Sequence, residues 1–428
     1  MALVAGGTTM SVDTDISARS FWARPFEERE ETFAWLRANQ PVSYHRPYES
    51  TLLPPDEDTP GFWSVTRYED CREVSRNTAV FTSGLGIVME DFPIDLATAT
   101  QSFLCMDGPE HTKLRGIVNQ AFTPRRTRQM EDWIRSVARE VTDEMIDLGE
   151  GDFCELFAKL IPGRIFAHLF GVDPRSDEAH ILMDAAEKML AWDDPRCAQG
   201  RDAFMTYAEE AARIQEVAVE VAELRRKEPG DDMVTWVVEA EWEGEQMDEW
   251  EIAAYFSLLG SAANDTTRHT LGHAVRLFDE HPDQKALLLE DLDARLPNAV
   301  EEVLRHSTPV MHFRRTALCD TQLRGVDIKE GEKLVMWYCS GDRDEDQFPD
   351  PGRFDIARPN AKTHLAFGAG GPHFCIGAAL GRLMVVAGLR EIYTRIPDIR
   401  LAGEPEIQVN NFMHGVHALP VCWTPEQS

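Results

Sequence analysis

The sequence predicts a mainly helical protein with a minor β-sheet region, and three of its features favour that class. Residues 109–225 repeat apolar side chains at helical spacing over long stretches. Residues 247–281 contain no proline and are apolar nearly all round in their middle, so we expect one core helix of about 50 Å. Strand-like alternation is confined to short pieces such as FWSVTRY, which indicates a small sheet.

The first part of the chain is expected to be irregular in two places. Residues 1–20 read as a disordered polar tail, and a single domain is predicted from 21 to 428. Residues 82–108 are apolar but are broken by glycine and proline, which is typical of a partly ordered loop.

The later part of the chain predicts two helices and a hairpin. A short helix is expected from Pro297 to the residue before Pro309. A β-hairpin is expected to follow, with its turn near Glu330 and Gly331. Cys375 is expected to open a last buried helix.

Composition excludes several classes of function. A net charge of −31 argues against binding nucleic acid or an anionic membrane surface. The eight cysteines form no C-x-x-C pair, which favours small buried residues in a reducing compartment over a disulfide scaffold or zinc site. The longest apolar run is much shorter than the roughly 20 residues of a membrane span. We therefore expect a cytoplasmic protein without a membrane span.

The stretch HLAFGAGGPHFCIGAALGR places an unusually permissive loop before Cys375. Gly368, Gly370 and Gly371 allow the backbone to approach a flat ligand. Unpaired N–H groups at a helix start lower a cysteine pKa and favour the thiolate. A thiolate with no other protein ligand nearby suits haem iron, because the porphyrin supplies the remaining nitrogens. The alternatives are an inert buried cysteine or a nucleophile, although no Cys-His signature surrounds it.

The segment FGAGGPHFCIG resembles the haem-binding signature of the cytochrome P450 family. Phe367 begins it, the basic His373 lies two residues before Cys375, and Gly377 lies two after. The spacing from Phe367 to Cys375 is one residue longer than the commonest form and resembles some mycobacterial sterol and branched-lipid hydroxylases. The resemblance implies a cytochrome P450-type fold with a long central helix over haem b, whose axial ligand is Cys375.

Glu302 and Arg305 share one helix face at i, i+3 spacing. Alone they would be read as a common surface pair. They resemble the Glu-x-x-Arg core motif of the family, which braces the fold on the thiolate side. The resemblance implies a third member, either Arg353 or Arg358.

Asp265 and Thr266 stand in the middle of the long core helix, where unpaired polar groups are unfavourable. One explanation is a threonine hydroxyl bonded back to the i−4 carbonyl. The other is oxygen activation, in which Thr266 holds a water or the reacting oxygen and Asp265 relays protons. SAANDTT resembles the family's Ala-Gly-x-Asp/Glu-Thr-Thr motif, with Ala263 where glycine is usual, and the extra methyl is expected to narrow the oxygen groove.

The haem also brings two carboxylates to be bound. His111 and Arg115 lie at i, i+4 near a helix start, a spacing that suits gripping one carboxylate. By resemblance, Arg315 and His373 complete the set of propionate partners.

The segments that resemble the family's pocket-lining regions are mostly apolar, which predicts a hydrophobic substrate. The resemblance implies a monooxygenase that hydroxylates a sterol, terpenoid or branched lipid with O2. The alternatives are a haem-thiolate sensor and a peroxide-driven haem enzyme. The predicted pocket residues are Val88, Met89, Phe92, Leu259, Ala262, Ala263, Val310, Met311, Phe313, Phe412 and Met413.

Electrons must come from another protein, because no dinucleotide-binding G-x-G-x-x-G follows a strand. The resemblance implies a ferredoxin with its reductase, acting on a monomer. An acidic ferredoxin needs a basic docking patch, and the alternative is scattered solvated charges. The candidate patch residues are Lys113, Arg125, Arg126, Arg128 and Arg382.

Overall fold

The computed structural model describes residues 14–119, 122–192, 194–242 and 245–426. Helices dominate the described chain, as predicted. The α-helices are α1 (Arg19–Trp22), α2 (Phe26–Asn39), α3 (Tyr68–Arg76), α4 (Ile94–Gln101), α5 (Gly108–Asn119), α6 (Pro124–Gln129), α7 (Glu131–Met145), α8 (Leu160–Leu169), α9 (Asp177–Leu190), α10 (Pro195–Ala198), α11 (Ala203–Lys227), α12 (Met233–Glu239), α13 (Glu249–Glu280), α14 (Pro282–Glu290), α15 (Leu292–Ser307), α16 (Tyr338–Gly341) and α17 (Ala378–Arg395). Short 3₁₀ turns occur at Ser102–Cys105, Ile146–Leu148 and Ala361–Thr363, and a π-helical turn occurs at Cys154–Ala158.

The strands are short and form small sheets. They are β1 (Val42–His45), β2 (Phe62–Val65), β3 (Phe81–Thr82), β4 (Glu150–Asp152), β5 (Glu241–Trp242), β6 (Glu245–Gln246), β7 (His312–Ala317), β8 (Thr321–Leu323), β9 (Val326–Ile328), β10 (Lys333–Trp337), β11 (Arg400–Leu401), β12 (Glu406–Ile407), β13 (Val416–Ala418) and β14 (Pro420–Cys422). The largest sheet has the order β1-β2-β10-β7-β3. In it β10 runs parallel to β2 and antiparallel to β7.

The helix α13 is the central element and spans 32 residues, or about 48 Å at 1.5 Å per residue. Its start is fixed by a capping box, in which Asp248 accepts from the Glu251 N–H and Glu251 accepts from the Asp248 N–H. It ends at Glu280, and one residue, His281, separates it from Pro282 at the start of the next helix. The prediction of a single long helix is therefore confirmed.

Two large apolar clusters meet along α13. The α11 cluster joins α9, α11 and the first half of α13, including Tyr255 and Leu259. The α17 cluster joins α7, α8, α15 and α17 to the second half of α13, including Leu271 and Phe278. Each half of α13 is thus buried by its own cluster, which leaves the helix centre as the place where a site can open.

Several sequence-based boundaries are corrected by the structure. The helix expected from Pro297 begins at Leu292, because Asp291 caps it by accepting from the Ala294 N–H. Pro297 lies in its second turn, and the helix loses one backbone hydrogen bond there. The expected hairpin turns at Arg324–Gly325, where both residues have positive φ, and it pairs β8 with β9.

A turn does occur at Glu330–Gly331, but it leads from β9 into β10, which pairs with β7 instead. The 82–108 loop contains α4 and a 3₁₀ turn.

The predicted N-terminal tail falls partly outside the described residues, at 1–13. Of the rest, Ile16 is buried, and its carbonyl accepts a hydrogen bond from Nε1 of Trp22 at 3.0 Å. None of the helices in the described ranges is long and apolar enough to cross a bilayer.

Candidate active site

Cys375 lies in the loop that precedes α17 rather than within the helix. The helix begins at Ala378, three residues after the cysteine, so the expectation that Cys375 opens it is wrong. The Cys375 N–H donates to the Phe367 carbonyl at 2.9 Å, and this hydrogen bond closes the loop between the two residues. Cys375 is exposed, yet desolvation by the surrounding protein raises the pKa of its thiol, while the Gly377 N–H and Arg115 oppose the rise. The lowered pKa of the Cys375 thiol that was expected from a helix start is therefore not found.

The glycines before Cys375 have a more local reason than expected. Gly368, Gly370 and Gly371 all have positive φ, which disfavours other residues there. A Cβ at Gly371 would lie 2.7 Å from the Ser75 carbonyl oxygen. The Ser75 hydroxyl also donates to the Gly370 carbonyl at 2.8 Å. Gly370 and Gly371 therefore allow the cysteine loop, which is one residue longer than the commonest form, to pack against the end of α3.

Four basic side chains gather beside this loop, where haem carboxylates would need partners. The rings of His111 and His373 are 4.3 Å apart. Burial, reinforced by His373, Arg115 and Arg315, lowers the pKa of His111 to about 4. The Arg115 guanidinium donates to the Phe374 carbonyl. The four residues predicted from three separate segments are therefore electrostatic neighbours.

Three nitrogens of this group are buried without a hydrogen-bond partner among the described residues: Nε2 of His111, Nδ1 of His373 and Nε of Arg315. Buried polar atoms of this kind are rare unless a ligand completes them. Two carboxylates would satisfy them, so the residues present fit a haem with its propionates.

Asp107 is a residue of the site that the sequence did not single out. It accepts from Nε2 of His373 at 3.1 Å and from the Ser83 N–H at 2.6 Å. Although burial raises its pKa, the hydrogen bonds from His373 and Thr82 hold the pKa of Asp107 at about 2. Asp107 therefore occupies Nε2 of His373 and leaves Nδ1 for another partner.

The Glu302–Arg305 pair is fully buried and bidentate, with nitrogen–oxygen distances of 2.7 and 2.8 Å. Arg358 is the third member, because its Nε lies 3.1 Å from Glu302 Oε1. Arg353 has an exposed side chain and contributes its carbonyl, which accepts from Arg305 and Arg358. Arg305 also donates to the Asp342 carbonyl, so the trio ties α15 to the segment that leads to the cysteine loop.

Asp265 and Thr266 lie at the centre of α13, between its two clusters. The Thr266 hydroxyl donates back to the Ala262 carbonyl at 3.1 Å, which is the local bond that the sequence left open. Ala262 is exposed, and Ala263 and Thr266 are half-buried, although the flanking turns of the helix are buried. This strip of small residues gives the middle of α13 an accessible face.

Asp265 is buried, and its Oδ1 has no hydrogen-bond partner among the described residues. Burial raises the pKa of Asp265 to about 7, with Arg268 opposing and Glu187 reinforcing the rise. Arg268 is in turn ion-paired with Glu187 at 2.7 Å. Glu187 comes from α9, and no motif in the sequence pointed to it.

Most of the predicted pocket residues fall into one region. Val88, Phe412 and Met413 form a buried cluster against which Phe92, Val310 and Phe313 pack; we call these six residues the Phe412 cluster. Phe92 also packs on the α11 cluster, which contains Leu259 and contacts Ala263. The apolar region therefore extends from the Phe412 cluster to the accessible strip of α13.

Two predicted pocket residues lie elsewhere. Met89 and Met311 belong to a separate cluster with Trp22 and Trp337. Each of the two is adjacent in the chain to a residue of the Phe412 cluster, Val88 or Val310, but its own side chain enters the other cluster.

The predicted docking residues differ in their side-chain contacts and exposure. Arg126 is ion-paired with Asp231 at 3.2 Å and lies over the ring of Trp236. Arg382 is paired with Glu301 at 2.6 Å and lies 4.3 Å from the centre of the Phe367 ring. The side chains of Arg125 and Arg128, on α6, are exposed.

Comparison with known proteins agrees with this geometry. Residues 61–393 match the family model of Cytochrome P450. The chain is 36% identical over 415 residues to a methyl-branched lipid omega-hydroxylase of Mycobacterium tuberculosis (strain H37Rv), covering 96% of this chain and 95% of that protein. It is 34% identical over 415 residues to a steroid C26-monooxygenase of Rhodococcus jostii, covering 96% and 83%.

A solved structure is also similar, that of Mycobacterium marinum cytochrome P450 CYP268A2 in complex with pseudoionone. It shares 42% identity and a TM-score of 0.92, covering 98% of this chain and all of that one. The chain belongs to the cytochrome P450 family. It is a cytochrome P450 monooxygenase, and the family and fold imply a haem-thiolate centre.

Proposed function

We propose that this monooxygenase hydroxylates a hydrophobic substrate of the sterol, terpenoid or branched-lipid class. The observation that carries the proposal is the continuous apolar region from the Phe412 cluster, through Phe92, to the accessible strip of α13. A pocket lined in this way favours a substrate with few polar groups. The names of the methyl-branched lipid and steroid hydroxylases described above support the same class.

The cofactor in this proposal is haem b, which Cys375 would hold through its thiolate. It would supply the activation of O2, and the chain's residues would hold it and manage protons. His111, Arg115, Arg315 and His373 would bind its propionates through the unpartnered nitrogens described above. Glu302, Arg305 and Arg358 would hold the segment leading to the cysteine loop in place.

Asp265 and Thr266 are proposed to manage protons at the reacting oxygen. The accessible strip of α13 supports this role, because it brings the Thr266 hydroxyl to the open face while Asp265 stays buried. Electrons are proposed to come from a ferredoxin and its reductase, acting on a cytoplasmic monomer. The exposed arginines of α6 support such docking, because α6 packs on α17, the helix that follows Cys375.

The substrate class is tested by titrating the purified haem-loaded protein with a sterol, a linear terpenoid and a methyl-branched fatty acid. A substrate that enters the pocket displaces water from the haem, so we expect a shift of the haem absorption band with at least one class. Phe92→Ala should weaken that binding by about 10- to 100-fold, the effect of losing a buried aromatic contact of roughly 1.5–3 kcal/mol.

Leu85→Ala is the matched control, because Leu85 is an exposed apolar residue of the same loop and should leave the affinity unchanged. No spectral response to any of the three classes would overturn the proposal. So would equal affinity in wild type and Phe92→Ala.

A further inference from the structure

A group of three metal-ligating side chains lies outside the site described so far. Glu187 comes from α9, Cys197 from α10 and His417 from β13. One donor atom of each lies within 4.8 Å of the other two. Glu187 and Cys197 are buried, His417 is half-buried, and Cys197 is a free cysteine. The group therefore has an inner end and an end near solvent.

The two oxygens of Glu187 have different partners. Oε2 is ion-paired with Arg268 at 2.7 Å and with Lys159 at 3.2 Å. Oε1 lies 3.5 Å from Nδ1 of His417. The two cations fix the carboxylate through one oxygen and leave the other directed at the histidine.

His417 is fixed in the same way. Arg268 donates to the His417 carbonyl at 3.2 Å, which anchors the backbone of that residue to α13. Nδ1 of His417 is buried and has no hydrogen-bond partner among the described residues. A buried nitrogen lone pair beside a carboxylate oxygen and a thiol is a combination that a metal ion completes.

We propose that Glu187, Cys197 and His417 form a binding site for a thiophilic divalent cation, of which Zn²⁺ is the representative. Sulfur, imidazole nitrogen and carboxylate oxygen are the donors that zinc prefers in proteins. Bond lengths of about 2.0–2.3 Å put tetrahedral donors roughly 3.3–3.8 Å apart, so small side-chain rotations close the site. Three protein ligands leave one coordination position for water on the side of His417.

Binding is a proton exchange at the cysteine. Burial raises the pKa of the Cys197 thiol to about 12, so the thiol loses its proton when its sulfur binds the metal. Glu187 is already ionised, because Arg268 and Lys159 lower its pKa to about 2 against the opposing effect of burial. The affinity should therefore rise with pH as the released proton becomes easier to lose.

The charges near the site limit its affinity for Zn²⁺ but do not prevent binding. The charged and titratable groups around the site are Lys159, Arg196, Arg268, His269, Glu155, Asp194 and Asp265. Lys159 and Arg268 are ion-paired with Glu187 and so compete with the metal for its carboxylate, whereas the acids and the new thiolate favour the ion. We therefore expect binding at micromolar rather than nanomolar Zn²⁺.

The site also has a consequence for turnover. Arg268 and Cys197 both interact electrostatically with Asp265, so a divalent cation here would change the field at that acid. We expect Zn²⁺ to slow product formation in the wild type and not in Cys197→Ser. This expectation rests on the proposed role of Asp265, whereas binding of the metal does not.

The test is calorimetric titration of Zn²⁺ into the haem-loaded full-length protein after removal of metals by a chelator. We expect one ion per chain, with release of a proton to the buffer. Cys197→Ser and His417→Gln should each weaken binding by tenfold or more. Cys319→Ser and His180→Gln are the matched controls, because both residues are exposed and lie outside the group.

Equal affinity in the wild type and both site variants would overturn the proposal, as would loss of binding in Cys319→Ser alone. If Cys197→Ser lacks the wild-type helical circular dichroism, the partly exposed His417→Gln decides the question. Cd²⁺ gives an independent reading, since the ultraviolet band of a cadmium–thiolate bond should appear in the wild type and be absent in Cys197→Ser.

Discussion

Asp265 and Thr266 are adjacent residues with different surroundings. Asp265 is 1% exposed, and burial raises its pKa to about 7, whereas Thr266 is half-buried on the open strip of α13. An acid whose pKa is near neutrality can both accept and donate a proton at the working pH. The pair therefore suits an inner proton store and an outer hydroxyl that passes the proton on.

Replacing Asp265 by asparagine removes the exchangeable proton while keeping the side-chain shape. We expect product formation to fall by about 10²- to 10⁴-fold, the usual contribution of a positioned acid or base. The substrate-induced spectral shift should stay unchanged. In the wild type the rate should fall as pH rises through about 7, because the protonated fraction declines. A parallel pH profile in Asp265→Asn would contradict this role.

Two matched variants distinguish the role of the Thr266 hydroxyl from that of the Asp265 carboxyl. Thr266→Ala should still consume O2, but the oxygen should appear as hydrogen peroxide rather than product. Ser261→Ala is the control, because Ser261 also bonds back to a carbonyl of α13, that of Ser257, and is buried. A haem-thiolate sensor would respond to neither change.

At the scale of elements, α6 presents the exposed arginines proposed for ferredoxin docking. Arg126 is already held by Asp231, so Arg125 and Arg128 are the sharper test. Replacing both arginines by glutamate should slow reduction by ferredoxin by about tenfold at low salt. The effect should be smaller at high salt, because charges at the edge of an interface act mainly on the association rate and are screened by salt. The measurement is stopped-flow reduction of the substrate-bound haem.

A double reversal of Arg46 and Lys329 makes the same change in net charge at other exposed positions. It should leave the rate nearly unchanged. Equal slowing by both double variants would show that the overall negative charge, rather than α6, controls the encounter.

The elements also show what the sequence could and could not predict. The limits of α13 were predicted to within two residues, because the proline-free run and its acidic start are local signals. The choice between Arg353 and Arg358 stayed open, since both lie in the same short irregular segment and only packing brings Arg358 onto Glu302. Asp107 was missed because its partner His373 is 266 residues away.

The starts of α15 and α17 were misplaced for a different reason. Pro297 and Cys375 were interpreted as helix starts, but the N-cap residues of the two helices are Asp291 and Gly377. Capping depends on backbone angles that side-chain pattern alone does not fix. Cores and long helices are thus easier to predict than the loops that carry the chemistry.

At the scale of the whole molecule, buried neutral histidines couple stability to pH. His269, His273, His312 and His414 are buried, and burial lowers the pKa of each, to about 3 for His269 and His312. At His312, the Met89 N–H donates to Nε2 at 3.2 Å, and Nδ1 bonds to the Asn411 carbonyl. Protonating Nε2 would break the first of these bonds.

The sign follows from the unfolded chain, where histidine regains a pKa of about 6.5. Below that pH the unfolded state binds protons that the folded state does not, so stability falls as pH falls. Each such histidine contributes about 1.4 kcal/mol per pH unit. Burial raises the pKa of Asp265 to about 7 and of Asp342 to about 6, and these two carboxyls act in the opposite direction above about pH 4.

These four histidines against the two carboxyls contribute a net loss of about 3 kcal/mol per pH unit between about pH 6 and about pH 5. The lowered pKa values of His45, His111 and His306 act in the same direction. We expect the urea midpoint to drop clearly over this window. His312→Gln can keep both hydrogen bonds without titrating, so it should reduce the slope by about 1.4 kcal/mol per pH unit. His180→Gln, at an exposed position, should leave the slope unchanged. A midpoint that stays constant from about pH 7 to about pH 5 would show that these histidines do not control acid stability.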